Sequence, residues 1–461
     1  MKSIRQAPGP RATSLFGLLR GLSKDRLAFF ERMWREYGEV VRIPLANKPL
    51  VMLTNPEHLE YVLRKNYLNF RKAELFNKER KTGLGLNLLT TEGAHWLKQR
   101  KLAQPAFKRQ ALAQLVDDMV AVGTRDLDGW APHLDGEPFD VAPELTAIAI
   151  NIASKTLFGV DMRPDTAKVR EAVGVIVRDG SARMASVFRL PWAVPTPRTL
   201  RIKRALRQLD EVVYGVIRDR RAEEQAAGDA PERDVLTRLL RARDPESGES
   251  MSDQELRNEV VTFLIAGHES AASSMAWTAW LLGRHPEVEA KVRAEVEAVL
   301  GGAPPTAETL PQLELTRRVV LESLRLYPPS WLFDRESIEA DTLGDYAIPP
   351  RTVFCIVPYV QHRDPTYWPD PERFDPDRFL PEAVKARPTF SYCPFGGGPR
   401  RCIGDEFALM EMTIVVALTL QRYRLTLVED HPVETLPAIA LRPLHGVKVR
   451  LSAAEGSPVT A

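Results

Sequence analysis

The chain has 461 residues, 44% of them hydrophobic, and a formal net charge of +2. That length can bury a large core, and so even a charge balance demands neither nucleic acid nor an acidic surface as partner. Three cysteines, Cys355, Cys393 and Cys402, without a Cys-x-x-Cys pair, fit a reduced compartment better than a disulfide framework.

Residues Met1 to Arg11 are basic and proline-rich and lack the apolar core of a signal peptide; the apolar piece Leu15 to Leu22 is broken by Gly17, Arg20 and Gly21 and reads as a surface segment. No window reaches ~18 apolar residues, so neither a membrane span nor an anchor is expected. Asp25 to Tyr37 has helical spacing and stops at Gly38. Val40–Leu45 and Leu50–Leu53, joined by Ala46-Asn47-Lys48-Pro49, read as a hairpin, and Asn55-Pro56-Glu57 as a helix start. A Gly- and Leu-rich loop, Gly83 to Gly93, precedes a helix on which Trp96 and Arg100 share a face. Helical patterns follow over Leu112–Leu127, Val141–Phe158, Thr166–Val177 and Thr199–Gln225, with a polar loop at Gly228–Arg233.

Ser252-Asp253-Gln254-Glu255 has the form of a capping box and should start the longest helix, running to about Gly283 before His285-Pro286, ~45 Å at 1.5 Å per residue. Its middle holds Ala266-Gly267-His268-Glu269-Ser270, a weak point where glycine costs up to ~1 kcal/mol and polar groups cost more if dry. Small Ala266 and Gly267 would let the helix pass close to a flat cofactor. Glu322 and Arg325 share a face of the helical stretch that ends at Pro328-Pro329. Thr352–Val360 alternates as a strand, and four prolines in Asp364–Asp377 make an irregular meander containing Pro371-Glu372-Arg373-Phe374. Arg424–Val428 and Val447–Leu451 read as closing strands, with a loose tail over Ala453–Ala461.

Between meander and closing strands lies Phe395-Gly396-Gly397-Gly398-Pro399-Arg400-Arg401-Cys402-Ile403-Gly404. Glycines let such a loop lie flat on a planar group and turn amides toward the sulfur, and the helix expected over Glu406–Leu420 adds its positive end. Cys402 is read as the thiolate ligand of a haem iron. Phe-x-x-Gly-x-Arg-x-Cys-x-Gly should arise by accident in only about 10⁻⁴ of chains this long.

With these residues the chain resembles the cytochrome P450 family from the first hairpin to the last strand. The resemblance implies one domain over residues 1–461 with a mainly α fold and small β-sheets. The β-rich portions would lie at about 38–55, 335–360 and 424–452, the helical ones at about 56–327 and 405–421, with the long central helix over the haem and the Cys402 loop beneath it. It implies haem b, iron protoporphyrin IX, with Trp96, Arg100, Arg335 and Arg400 at its propionates, Phe395 of the cysteine loop also in the cofactor site, and Glu269 and Ser270 as the acid and alcohol of the distal helix. The family's usual threonine is Ser270 here. Glu322 and Arg325 with Arg373 would form a buried structural triad. The implied activity is monooxygenation of a small hydrophobic substrate with O2. Electrons would come from a separate ferredoxin or flavodoxin and its NAD(P)H reductase, docking on a basic patch of Lys98, Lys101, Lys108, Arg109 and Arg401. A cytoplasmic location is expected. The alternatives are a peroxide-using or hydroperoxide-rearranging haem-thiolate enzyme and a non-catalytic haem binder.

Overall fold

The computed structural model describes residues 1–10, 21–22, 24–45, 48–160, 163–185, 190–227, 234–244 and 246–456. Most of the Leu15–Leu22 piece, the Ala46-Asn47 corner, the Gly228–Arg233 loop and the last residues of the tail lie outside them. The protein is mainly helical, with four small sheets among the described residues, and contacts divide it into two compact units, Met1–Asn77 with Leu321–Ile403, and Lys78–Val320 with Gly404–Ala461. Among the described residues no helix is long and apolar enough to cross a membrane.

The first unit is built on a five-stranded sheet. Val40–Leu45 and Lys48–Leu53 form the expected hairpin; Val353–Ile356 runs parallel to the second of these, followed by Phe333–Ser337 and Phe70–Arg71. Val51, Leu53, Leu59, Leu63, Phe70, Phe354 and Ile356 close its core. Local signals set the helices. Asp25 accepts from the Ala28 amide at 3.0 Å to start Arg26–Tyr37, and Gly38 ends it, while Asn55 accepts from the amides of Glu57 and His58. The strand expected over Thr352–Val360 is shorter, because Pro358, which has no ladder N–H, starts a brief helix, Pro358–Gln361.

In the second unit the Ser252 capping box forms as read: Ser252 Oγ accepts from the Glu255 amide at 3.3 Å and Glu255 accepts from the Ser252 amide at 2.9 Å. The helix it starts, Asp253–Arg284, has 32 residues and packs on Val141–Phe158. Asp405–Arg422 and the antiparallel pair Tyr423–Leu427 and Lys448–Ala453 fall where expected. A hairpin of Thr435–Pro437 and Leu441–Pro443, too short to show as alternation, was not foreseen.

Candidate functional site

In the first unit the cysteine loop folds back on itself. The Cys402 amide donates to the Phe395 carbonyl at 2.9 Å, Gly396 to Cys393 at 3.0 Å and Arg401 to Gly398 at 3.0 Å. Gly398 has φ +64°, and a Cβ there would overlap the carbonyl oxygen of Leu63, so only glycine fits. None of the three cysteines forms a disulfide, and they differ in exposure. Burial pushes the Cys393 thiol up to about 12 and Cys355 higher still, and Cys393 Sγ donates to Gln361 at 2.9 Å. Cys402 is exposed, on the loop that also carries Phe395 and half-buried Arg400.

A buried polar cage belongs to the same unit. Glu322 and Arg325, both fully buried, form a two-pronged pair at 2.7 and 2.8 Å, and Arg325 also donates to the carbonyls of His362, Pro371 and Arg373. The expectation for Arg373 needs correction. Its side chain is exposed, and it enters the cage only through its carbonyl, 3.1 Å from Arg325. The second arginine beside Glu322 is Arg378, at 3.5 Å and 10% exposed, with the Asp375 amide donating to the same carboxylate at 2.9 Å. The chain carries the same short pattern twice, Pro371-Glu372-Arg373-Phe374 and Pro376-Asp377-Arg378-Phe379, and that repetition was the available signal. His362 was also missed. Burial lowers its pKa to about 3, so its Nε2 accepts from the Cys393 amide at 3.0 Å and holds the start of the cysteine loop. Arg335 lies buried on Phe333–Ser337, with its guanidinium bonded to the Asp334 carbonyl at 2.7 Å and 5.5 Å from the Phe333 ring centre.

In the second unit the long helix is buried from Leu256 to Ile265 and again from Ala271 to Thr278, with a window between. Ala266 is exposed, Gly267 and Ser270 are half-buried, and a Cβ at Gly267 would meet no atom within 4 Å. Ser270 Oγ donates to the Ala266 carbonyl at 2.7 Å. Both oxygens of Glu269 are buried without a hydrogen-bond partner, and burial pushes its carboxyl up to about 7, against a smaller opposing effect of Arg442. His268 is buried and bonded to the Leu264 carbonyl at 2.6 Å, which leaves it out of the window.

Glu259, Ala266, Ser270, Ser273 and Trp277 fall within an arc of about 60° at 3.6 residues per turn. Neighbouring segments dock at both ends of this stripe. Glu259 accepts from the Leu88 amide at 2.8 Å, and Ser273 Oγ and Trp277 Nε1 both donate to the Leu441 carbonyl of the unforeseen hairpin. These segments expose Leu86, Leu89 and Ile439, at 51%, 39% and 46%. On the helix Gly93–Ala103, Trp96 is buried and Arg100 half-buried one turn on. The surface lysines of that helix are not bare: Lys98 pairs with Glu249 and Lys101 with Glu246.

Each unit fits a haem by its own chemistry. The first offers a soft sulfur donor on a loop shaped by glycine, and the second a helix opened to bare backbone beside an unpartnered acid.

The family model for cytochrome P450 matches residues 7–447. Two proteins of Streptomyces melanosporofaciens are similar over most of both chains: cyclooctatin synthase, 35% identical over 97% of this chain and 92% of its own, and cyclooctat-9-en-7-ol 5-monooxygenase, 37% identical over 90% and 88%. Pentalenene oxygenase of Streptomyces avermitilis is 32% identical over 90% of this chain and 91% of its own. The crystal structure of the cytochrome P450DA heme domain superposes with a TM-score of 0.87 at 26% identity, covering 98% of each chain. The chain therefore belongs to the cytochrome P450 family and is a haem-carrying monooxygenase.

Proposed function

We propose that the enzyme uses O2 to insert one oxygen atom into a small hydrophobic substrate, by hydroxylation or epoxidation, with electrons from a separate ferredoxin or flavodoxin and its NAD(P)H reductase. The observation that carries this reading is the window in the long helix, where the unpartnered acid Glu269 and the hydroxyl of Ser270 flank exposed backbone. Haem held by a thiolate supplies O2 binding and favours O–O cleavage.

The chain's own residues do the rest. Cys402 would be the sulfur ligand, on the loop begun by Phe395. Arg400, Arg335, Trp96 and Arg100 would take the propionates, and Ala266 and Gly267 would leave room for the ring. Ser270 can turn its hydroxyl from the Ala266 carbonyl to another acceptor. Glu269, titrating near neutrality, can both take and give a proton at working pH.

Exposed Leu86, Leu89 and Ile439 on segments docked along the Ala266 stripe support an apolar substrate. The relatives named for cyclooctat-9-en-7-ol and pentalenene support an unsaturated, alicyclic one. The cytoplasm, where reduced nicotinamide is supplied, is the compartment this reading implies.

The test is turnover with isotopically labelled O2, an electron-donor chain and an apolar alicyclic alkene. One labelled oxygen per product is expected. Full turnover with peroxide alone, or haem binding without product, would overturn the reading in favour of a peroxide-using enzyme or a binder.

A further inference from the structure

Two lysines of the Gly93–Ala103 helix are already held by acids of the same unit. Lys98 Nζ lies 2.6 Å from Glu249 Oε2 and Lys101 Nζ 2.6 Å from Glu246 Oε1. The lysines are three residues apart on one helical face, and the acids are also three apart, so the two pairs run side by side. These contacts raise the pKa of both lysines, chiefly through the hydrogen bonds to Glu249 and Glu246.

The acids stand on a turn that keeps its own shape. The Asp244 amide donates to the Glu249 carbonyl and the Gly248 amide to the Asp244 carbonyl, each at 2.8 Å. Asp244 Oδ1 accepts from the amides of Glu246 and Ser247, each at 2.9 Å. None of these bonds involves a lysine. The pairs themselves are bathed in water, with Glu249 and Glu246 67% and 78% exposed and Lys98 and Lys101 29% and 41%. Water and salt weaken such contacts, so another carboxylate can replace either acid. Lys108 and Arg109, further along the chain, are exposed and form no ion pair among the described residues.

We infer that this acidic turn is an internal stand-in for the electron donor: Glu246 and Glu249 occupy Lys98 and Lys101 as the carboxylates of an acidic ferredoxin would, and the donor docks by displacing them. The inference rests on the proposed docking of an acidic donor at this helix. It explains why the turn is preorganised without the lysines, since a competitor must release them without unfolding. It also sets a direction. Removing the two glutamate charges unmasks both lysines and strengthens the local field that steers an acidic partner.

The experiment is titration of the haem-loaded enzyme with an acidic plant-type [2Fe–2S] ferredoxin at low and at physiological ionic strength. Four variants join the parent: E246Q/E249Q, K98Q/K101Q, the combination of both, and E171Q/E297Q, which changes net charge equally at two other exposed acids. E246Q/E249Q should bind about threefold tighter or more at low salt, with a steeper salt dependence, and E171Q/E297Q should stay within about twofold of the parent. K98Q/K101Q should bind more weakly, and the combined variant should show no gain from losing the glutamates. If K98Q/K101Q weakens binding but E246Q/E249Q gains no more than E171Q/E297Q, the stand-in is wrong and the docking site survives. If K98Q/K101Q binds like the parent, or the parent does not bind, docking at this helix is wrong and the stand-in falls with it.

Discussion

Arg378 stands 3.5 Å from Glu322, whereas the guanidinium of Arg373 is exposed and only its carbonyl reaches the cage. Glu322, with no exposed surface, thus has two cationic neighbours, Arg325 and Arg378, and the meander that carries Arg378 is tied to the helix Glu314–Leu326.

The two arginines should separate cleanly on substitution. Arg378→Ala removes a neighbour of a buried carboxylate and should cost about 2–4 kcal/mol, with poor haem retention, while Arg373→Ala should stay within about 0.5 kcal/mol of the parent. Thermal unfolding and haem content of the two variants check this. Equal losses would mean that the Arg373 side chain also contributes.

Gly267 gives a test in which stability and cofactor binding move in opposite directions. Gly267→Ala adds a methyl group that meets no protein atom, so the haem-free protein should gain up to ~1 kcal/mol from helix propensity. The same methyl group enters the space assigned to the ring, so haem affinity should fall. Unchanged haem affinity would mean that the window serves something else.

Much of this was legible because it is local. The Ser252 box, the Asn55 cap and the Gly38 stop are each written within a few residues, and each formed where it was read. What was not legible depends on distant partners. Choosing between Arg373 and Arg378 requires knowing which one the fold buries, and the pairing of Lys98 with Glu249 joins residues 151 apart in sequence. Val357–Val360 misled for another reason. The apolar alternation favoured a strand, but the missing N–H of Pro358 and its preset φ favoured the start of a helix.

Glu269 should leave a pH signature on stability. Its carboxyl titrates near 7 in the folded protein and near its ordinary value of 4.5 when unfolded, so the folded state holds the extra proton between these values. The stability this contributes is complete below about pH 4.5 and is lost as pH rises through about 7, a swing of up to ~3 kcal/mol. Relative to Glu269→Gln, the parent should lose melting temperature across that window and then hold a constant gap. A gap that does not change with pH would mean that the carboxyl is solvated.

Ser270→Ala removes a hydroxyl whose hydrogen bond runs to its own helix, so folding should be little changed. Proton supply should suffer. The variant should consume reductant through the donor chain yet release more peroxide per product, and Ser270→Thr should match or exceed the parent. Parent-like coupling in Ser270→Ala would assign the protons to substrate or water.

The central claim is that Cys402 is the sulfur ligand of the haem, and the absorption spectrum of the reduced protein with carbon monoxide tests it most directly. The parent and Cys393→Ala should both show the strongly red-shifted Soret band of thiolate ligation, and Cys402→Ala should lose it while remaining folded by circular dichroism. Persistence of that band in Cys402→Ala, or its loss in Cys393→Ala with the fold intact, would contradict the account.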